Sequence, residues 1–196
     1  MLGSLVRKKC PEFVKKALMP SGQFGMINSS EMMGKYWLLF FYPLDFTFVC
    51  PTEILSFARL HDQFSKSGCS IIGASVDSEY AHLAWSKLPK EEGGLGGLLP
   101  FPLLSDKGGD VASKCGVRVD DAGVALRATF IFDKQNICRH ADINDLSVGR
   151  RIEEHLRVFE AIKYADEHEG EVCPAGWVSG SSTINTKKPS DYFKQF

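Results

Sequence analysis

The chain has 196 residues, 44% of them apolar and 24% charged, with 23 Lys plus Arg against 24 Asp plus Glu for a formal net charge of −1. That length and composition suit one globular domain with a full core. The balanced charge excludes a field of one sign aimed at nucleic acid or an anionic membrane, and the longest apolar run, Tyr36 to Tyr42, is too short to span a bilayer.

In chain order, Leu2 to Val6 precedes Arg7, Lys8 and Lys9, the reverse of a secretory signal, so a cytoplasmic location is expected. Cys10 stands before Pro11 in this Lys-rich opening and reads as an exposed thiol or as part of a mobile end. Phe13–Val14 and Phe24 predict short extended pieces around a Pro20–Ser21–Gly22 turn. Lys35 to Tyr42 predicts a strand apolar on both faces, as at the centre of a parallel sheet. Thr52 to Lys66 predicts a helix, with Ile54, Leu55, Phe57, Ala58, Leu60 and Phe64 on one broad face and Gly68 as the stop. Cys69 to Val76 is a second short strand. Strand, helix and strand make a βαβ unit, whose right-handed crossover sets the two strands parallel.

Ser78 to Lys87 predicts a short helix. Residues 91–102, with four glycines and two prolines, break all periodicity and are not spaced as a phosphate-binding loop. Ser105–Asp106 predicts the cap of a short helix through Cys115. Arg127 to Asp133 predicts a strand, paired with Ile137 to Asp142 across the turn at 134–136. Arg150 to His168 predicts a helix with Ile152, Leu156, Phe159 and Ile162 as its apolar stripe. The rest has little periodicity and reads as an arm, which divides the chain into a body, residues 1–169, and a C-terminal arm, residues 170–196.

Six cysteines lie at 10, 50, 69, 115, 138 and 173. None makes a CxxC pair or sits beside a histidine at metal-ligand spacing, so neither a zinc module nor a thioredoxin-type dithiol is indicated. Cys69, Cys115 and Cys138 read as small buried hydrophobes. Cys50 differs. It follows a buried strand and a short loop and precedes Pro51, a residue suited to the first turn of a helix. A thiol there faces the free N–H groups and positive end of the helix dipole, which favour thiolate, the nucleophilic form. Thr47 offers a hydroxyl three residues earlier, able to donate to the sulfur or to a bound oxygen. A cation would complete the site, and Arg127, Arg139, Arg150 and Arg151 are the candidates.

The run FYPLDFTFVCPTE, ending at Glu53, resembles the signature of the typical two-cysteine peroxiredoxins, with its P-x-x-x-T-x-x-C core at Pro43, Thr47 and Cys50. IIGASVDS at 71–78, HLAW at 82–85, NDLSVGR at 144–150 and GEVCPAGW at 170–177 resemble further blocks of that family, in the same order. The resemblance implies an α/β protein of thioredoxin-like fold, with a central mixed sheet flanked by helices and a C-terminal arm. It implies a peroxidase acting on hydrogen peroxide and small organic hydroperoxides, with no metal, haem or flavin.

By the same resemblance Cys50 is the peroxidatic cysteine, oxidised to a sulfenic acid, and Cys173 is the resolving cysteine of a partner subunit. Thr47 orients thiolate and peroxide, Pro43 shields the pocket, and Arg127 polarises the peroxide. Glu53 and Arg150 hold Arg127. The implied partners are a thioredoxin-like dithiol reductant and a second copy of the chain, in a homodimer and a ring of five dimers. GGLG at 93–96 and Tyr192–Phe193 resemble paired motifs that pack over the active-site helix and favour further oxidation of Cys50. Ala125 and Ala128, and GGLGG in place of GGLG followed by Pro or Met, depart from the family pattern. The rival functions are a holdase chaperone and a peroxide sensor that relays oxidation to other proteins.

Overall fold

The structure, a computed structural model, describes residues 4–194. Tyr36–Phe41 (β3) is buried at every position, as its unbroken run of aromatic and aliphatic side chains requires. It lies near the middle of a seven-stranded sheet made with Val14–Leu18 (β1), Phe24–Asn28 (β2), Cys69–Ser75 (β4), Leu103–Ser105 (β5), Arg127–Phe132 (β8) and Cys138–Asn144 (β9). The order is β2-β1-β5-β4-β3-β8-β9. Arg118–Val119 (β6) and Val124–Ala125 (β7) form a separate small ladder.

The sheet is mixed. β4 runs parallel to β3 and to β5, whereas β8 runs antiparallel to β3 and β9 antiparallel to β8. Between β3 and β4 the chain passes through Cys50–Lys66 (α1), which completes the expected βαβ unit. Glu79–Lys87 (α2) follows β4, with Ser78 capping it through Ala81 N–H. Gly73 of β4 admits the ring of Phe40: a Cβ there would lie 2.7 Å from Phe40 Cζ. Asp110–Lys114 (α3) is capped from a distance by Asp106, whose carboxylate accepts from Val111 N–H at 3.0 Å and Ala112 N–H at 2.8 Å. The expected cap is therefore present at Asp106, while the helix itself begins four residues later. β5 had no counterpart in the sequence reading, because its three residues follow directly on the Gly- and Pro-rich run.

Cys10 is buried, contrary to expectation. The sequence suggests an exposed thiol or part of a mobile end, but Cys10 is only 8% exposed and belongs to the core. The cause is backbone pairing. Arg7 N–H donates to Cys138 O, Cys138 N–H to Lys8 O, and Cys10 N–H to Asn136 O, so the opening segment lies along the start of β9 and carries its thiol inward.

Contacts divide the chain into one unit ending at Ile152 and a second beginning at Glu153. The second contains most of Ile152–Glu167 (α4), a two-stranded ladder of Glu171–Val172 (β10) and Ile184–Asn185 (β11), and the short Ser190–Phe193 (α5). Within it, Tyr164 stacks on His168 with centroids 3.8 Å apart, and Arg157 donates to Trp177 O at 2.7 Å. Among the described residues no helix is long and apolar enough to cross a membrane.

Candidate active site

Cys50 is the first residue of α1, with Pro51 behind it and Val49 as the helix cap. Its side chain is fully buried. Thr52 and Glu53 N–H both donate to Val49 O, which closes the first turn around the cysteine. Glu53, three residues on, shares the face of α1 that carries Cys50.

Two arginines converge there from separate parts of the fold. Arg127 begins β8, and the antiparallel register that sets Ala128 opposite Phe41 brings it to the end of β3, where the chain turns toward Cys50. Arg127 Nη1 donates to Cys50 Sγ at 3.4 Å and to Glu53 Oε2 at 2.9 Å, while Nε donates to Leu146 O at 2.7 Å. Arg150 reaches the same carboxylate with two side-chain nitrogens, Nε to Oε1 at 2.8 Å and Nη2 to Oε2 at 3.0 Å, and its own backbone N–H adds a third bond at 2.9 Å. Its remaining nitrogen, Nη1, donates to Ala128 O and Thr129 Oγ1, and Phe40 and Phe57 lie beneath the guanidinium.

Glu53 is 2% exposed and so needs these partners. Burial raises its carboxyl, but hydrogen bonds and charge from Arg150, with the charge of Arg127, outweigh that and hold it below the usual value. For Arg127, burial disfavours the charged form, and the bond to Cys50 with the charges of Cys50 and Glu53 raises it on balance.

Of the four candidate arginines, Arg127 and Arg150 meet at the Cys50 turn. Arg139 pairs with Asp133 at 3.3 Å, and Arg151 is exposed. Pro43 is buried in the loop before Cys50. Thr47 Oγ1 donates to Leu44 O at 3.0 Å rather than to the sulfur, so its proton is spent within the loop and its oxygen is left as an acceptor. Cys173 belongs to the second unit. There it is half-buried, with Sγ donating to Ala161 O at 3.6 Å. Burial raises its pKa, the guanidinium of Arg157 opposes that, and Glu171 adds to it.

The remaining thiols are set apart by burial. Cys10 is pushed up to about 12, by burial first and then by Cys138, and Cys138 is itself pushed up to about 12 by burial. Burial raises Cys69 and Cys115 as well. Among the described residues no cluster of three or more His, Cys, Asp or Glu is placed to hold a metal.

Sequence reasoning missed Thr129, the Leu146 carbonyl and the aromatic floor under Arg150. It also gave no role to His82, which is buried against Asp45, two residues before Thr47. The HLAW block contained His82, but no sequence spacing joins it to Asp45.

A family model described as the AhpC/TSA family matches residues 6–141, and one described as the C-terminal domain of 1-Cys peroxiredoxin matches residues 161–194. Peroxiredoxin-1 of Gallus gallus is 49% identical over 194 residues, covering 98% of this chain and 96% of that protein. The crystal structure of a reduced 2-Cys peroxiredoxin from Plasmodium vivax superimposes with a TM-score of 0.93 at 38% identity, over 97% of this chain and 99% of that one. Thioredoxin peroxidase I of Plasmodium yoelii gives a TM-score of 0.78 at 39% identity, over 89% of this chain and 99% of that one.

A thioredoxin-like fold with these relatives defines a thiol-dependent peroxidase, an oxidoreductase. The chain belongs to the AhpC/TSA family, the peroxiredoxins. Peroxide as substrate, a thioredoxin-type reductant and oligomerisation are the pattern of that family.

Proposed function

We propose that Cys50 is the nucleophile of this peroxidase and that Cys173 of a second subunit resolves its oxidised form. The observation that carries the proposal is the single arginine nitrogen, Arg127 Nη1, held 3.4 Å from a sulfur at a helix N-terminus. The thiolate attacks one oxygen of the O–O bond. An S–O bond forms, the O–O bond breaks, and the other oxygen leaves as hydroxide or alkoxide and takes a proton from solvent, with a sulfenic acid left on Cys50. Fixed donors count most where such charge develops. Arg127 supplies such a donor, while Thr47, whose proton is committed to Leu44 O, accepts the peroxide hydrogen. Pro43 shields the pocket, and Glu53 with Arg150 keeps Arg127 in place.

The Cys173 thiol then displaces water from the sulfenic acid to form the disulfide, and a thioredoxin-like dithiol reduces it. Disulfide formation needs Cα atoms within about 4.4–6.8 Å. A fully buried Cys50 meets that need only if the first turn of α1 unwinds. The working unit is a homodimer with exchanged arms, residues 170–196, assembled into a ring of five dimers in the cytoplasm. Catalysis is favoured over a holdase role, which has no use for a cation aimed at a thiol.

The test is a non-reducing gel after one equivalent of peroxide. The wild-type chain gives a disulfide-linked dimer, and Cys173→Ser and Cys50→Ser each abolish it. A dimer that survives Cys173→Ser assigns resolution to another thiol, and peroxide turnover in Cys50→Ser removes the mechanism.

A further inference from the structure

The turn that carries Thr47 contains a residue in a costly conformation. Phe46 has φ 56, the left-handed region that a bulky residue adopts only when its surroundings impose it. Phe46 is 55% exposed, and its ring lies 5.9 Å from that of Trp85 on α2. Its neighbour Asp45, whose side chain is fully buried, anchors the turn.

Asp45 is held from three directions. Its backbone N–H donates to Asp77 Oδ2 at 2.8 Å, and Asp77 is itself fixed by Ser75 Oγ. Tyr42 OH donates to Asp45 Oδ1 at 2.8 Å. Asp45 Oδ2 lies 2.8 Å from His82 Nδ1, on α2 and 37 positions away, and His82 Nε2 lies 3.3 Å from Leu104 O of β5.

This geometry sets the proton count. A carbonyl oxygen only accepts, so Nε2 carries a hydrogen. The contact between Nδ1 and Oδ2 requires one more, on either atom. The pair therefore holds two protons and is neutral overall wherever the shared one sits, which is how an acid and a base can be fully buried together.

We infer that His82 and Asp45 are positioning residues for the peroxide step: the proton-sharing pair ties the Leu44–Thr47 turn to α2 and β5 and so sets where the Thr47 oxygen meets the peroxide. Neither residue touches the reacting atoms. The inference rests on Cys50 and Thr47 forming the peroxide site.

Three variants of the full-length chain test it: His82→Phe, Asp45→Ala and Asp45→Asn. An asparagine at position 45 restores every bond without a charge, accepting from Tyr42 through its oxygen and donating through its nitrogen to a neutral His82. The rate of Cys50 oxidation is read by competition with a haem peroxidase for hydrogen peroxide, and disulfide reduction by dithiothreitol is read separately. Since a displacement of about 1 Å costs on the order of a hundredfold, His82→Phe and Asp45→Ala should slow oxidation about ten- to a hundredfold with reduction unchanged, and Asp45→Asn should stay within about twofold of wild type. Wild-type oxidation in His82→Phe and Asp45→Ala, equal losses in both half-reactions, or Asp45→Asn as slow as Asp45→Ala overturns the inference. Should His82→Phe fail to fold, the two Asp45 variants decide. Cys50→Ser is run beside them: peroxide consumption there removes the underlying site reading, whatever the other variants do.

Discussion

Cys50 and Arg127 lie 77 positions apart in the chain and 3.4 Å apart at sulfur and nitrogen. The nitrogen that faces the sulfur also binds Glu53, and the Nε of the same guanidinium is fixed by Leu146 O. A planar fork locked at three acceptors has no spare rotation. A lysine has the charge but only a single nitrogen, so it cannot reproduce those directions. Arg127→Lys should therefore lower the rate of Cys50 oxidation on the order of a hundred- to a thousandfold, the usual loss when one fixed donor is removed from a site of developing charge. Competition kinetics with a haem peroxidase measure it, and a wild-type rate would show that charge alone suffices.

Glu53 connects this site to stability. Its carboxylate takes bonds from both arginines at a position that is 2% exposed, so removing its charge leaves two guanidinium groups facing a neutral partner. Breaking one side of a buried ion pair costs about 3–5 kcal/mol, and Glu53→Gln should lose about that much in urea unfolding at pH 7. The pH dependence has a definite sign. The folded-state value of Glu53 lies below its ordinary value, so its contribution is fully present above about pH 4.3 and is lost as pH falls through the folded value. Wild-type stability should drop over that acid range, and the Glu53→Gln curve should be flatter there. Parallel curves would mean that other carboxyls dominate.

How much of this site the sequence revealed depends on how each residue is placed. β3, α1 and Cys50 at their junction were legible because they rest on local patterns: a run apolar on both faces, a helical stripe, and a proline at a first turn. The choice among Arg127, Arg139, Arg150 and Arg151 was not local. It follows from the pairing of Ala128 with Phe41, and without the family resemblance the four would have stayed equivalent. The Asp45–His82 pair and the burial of Cys10 depend on contacts between distant segments, and no spacing encodes them. Thr47 was legible as a hydroxyl near sulfur, but the direction of its proton required the loop geometry.

The buried thiols give an alkaline counterpart to Glu53. Cys10 and Cys138 are pushed up to about 12, whereas an unfolded thiol titrates near its ordinary value of about 8.5. A group raised by folding contributes stability below its unfolded value and loses it as pH rises through the folded one. Stability should accordingly fall from about pH 8.5 upward, and Cys10→Ala with Cys138→Ala should reduce that slope. At pH 8 a thiol at about 12 is ionised in roughly one molecule in ten thousand. Iodoacetamide should therefore leave Cys10 and Cys138 unlabelled in the native protein and label them in urea, as mass spectrometry of the peptides would report. Rapid native labelling of Cys10 would mean that the opening strand segment detaches.

Gly94 offers a separate handle on the loop after α2. A Cβ there would lie 2.1 Å from the carbonyl oxygen of Leu88, a backbone atom that cannot swing aside. The same carbonyl accepts from Gly96 N–H, and the loop is further tied to α2 by Leu95 N–H to Trp85 O, Gly97 N–H to Ser86 O and Trp85 Nε1 to Gly93 O. Gly94→Ala must shift this segment and with it Leu95, which is 2% exposed. Overpacking of this kind costs about 1–3 kcal/mol, and in a chain of this size each kcal/mol lowers Tm by roughly 2–4 °C. The resemblance implies a second duty for the loop, paired with Tyr192–Phe193: to restrain the unwinding of α1 and let the Cys50 sulfenic acid persist. If it has that duty, Gly94→Ala should speed disulfide formation and lower the sulfinic acid fraction produced by excess peroxide, measured by mass spectrometry of the Cys50 peptide. A fall in Tm with an unchanged sulfinic fraction would confine the loop to a structural role and leave the control of unwinding to the first turn of α1 itself.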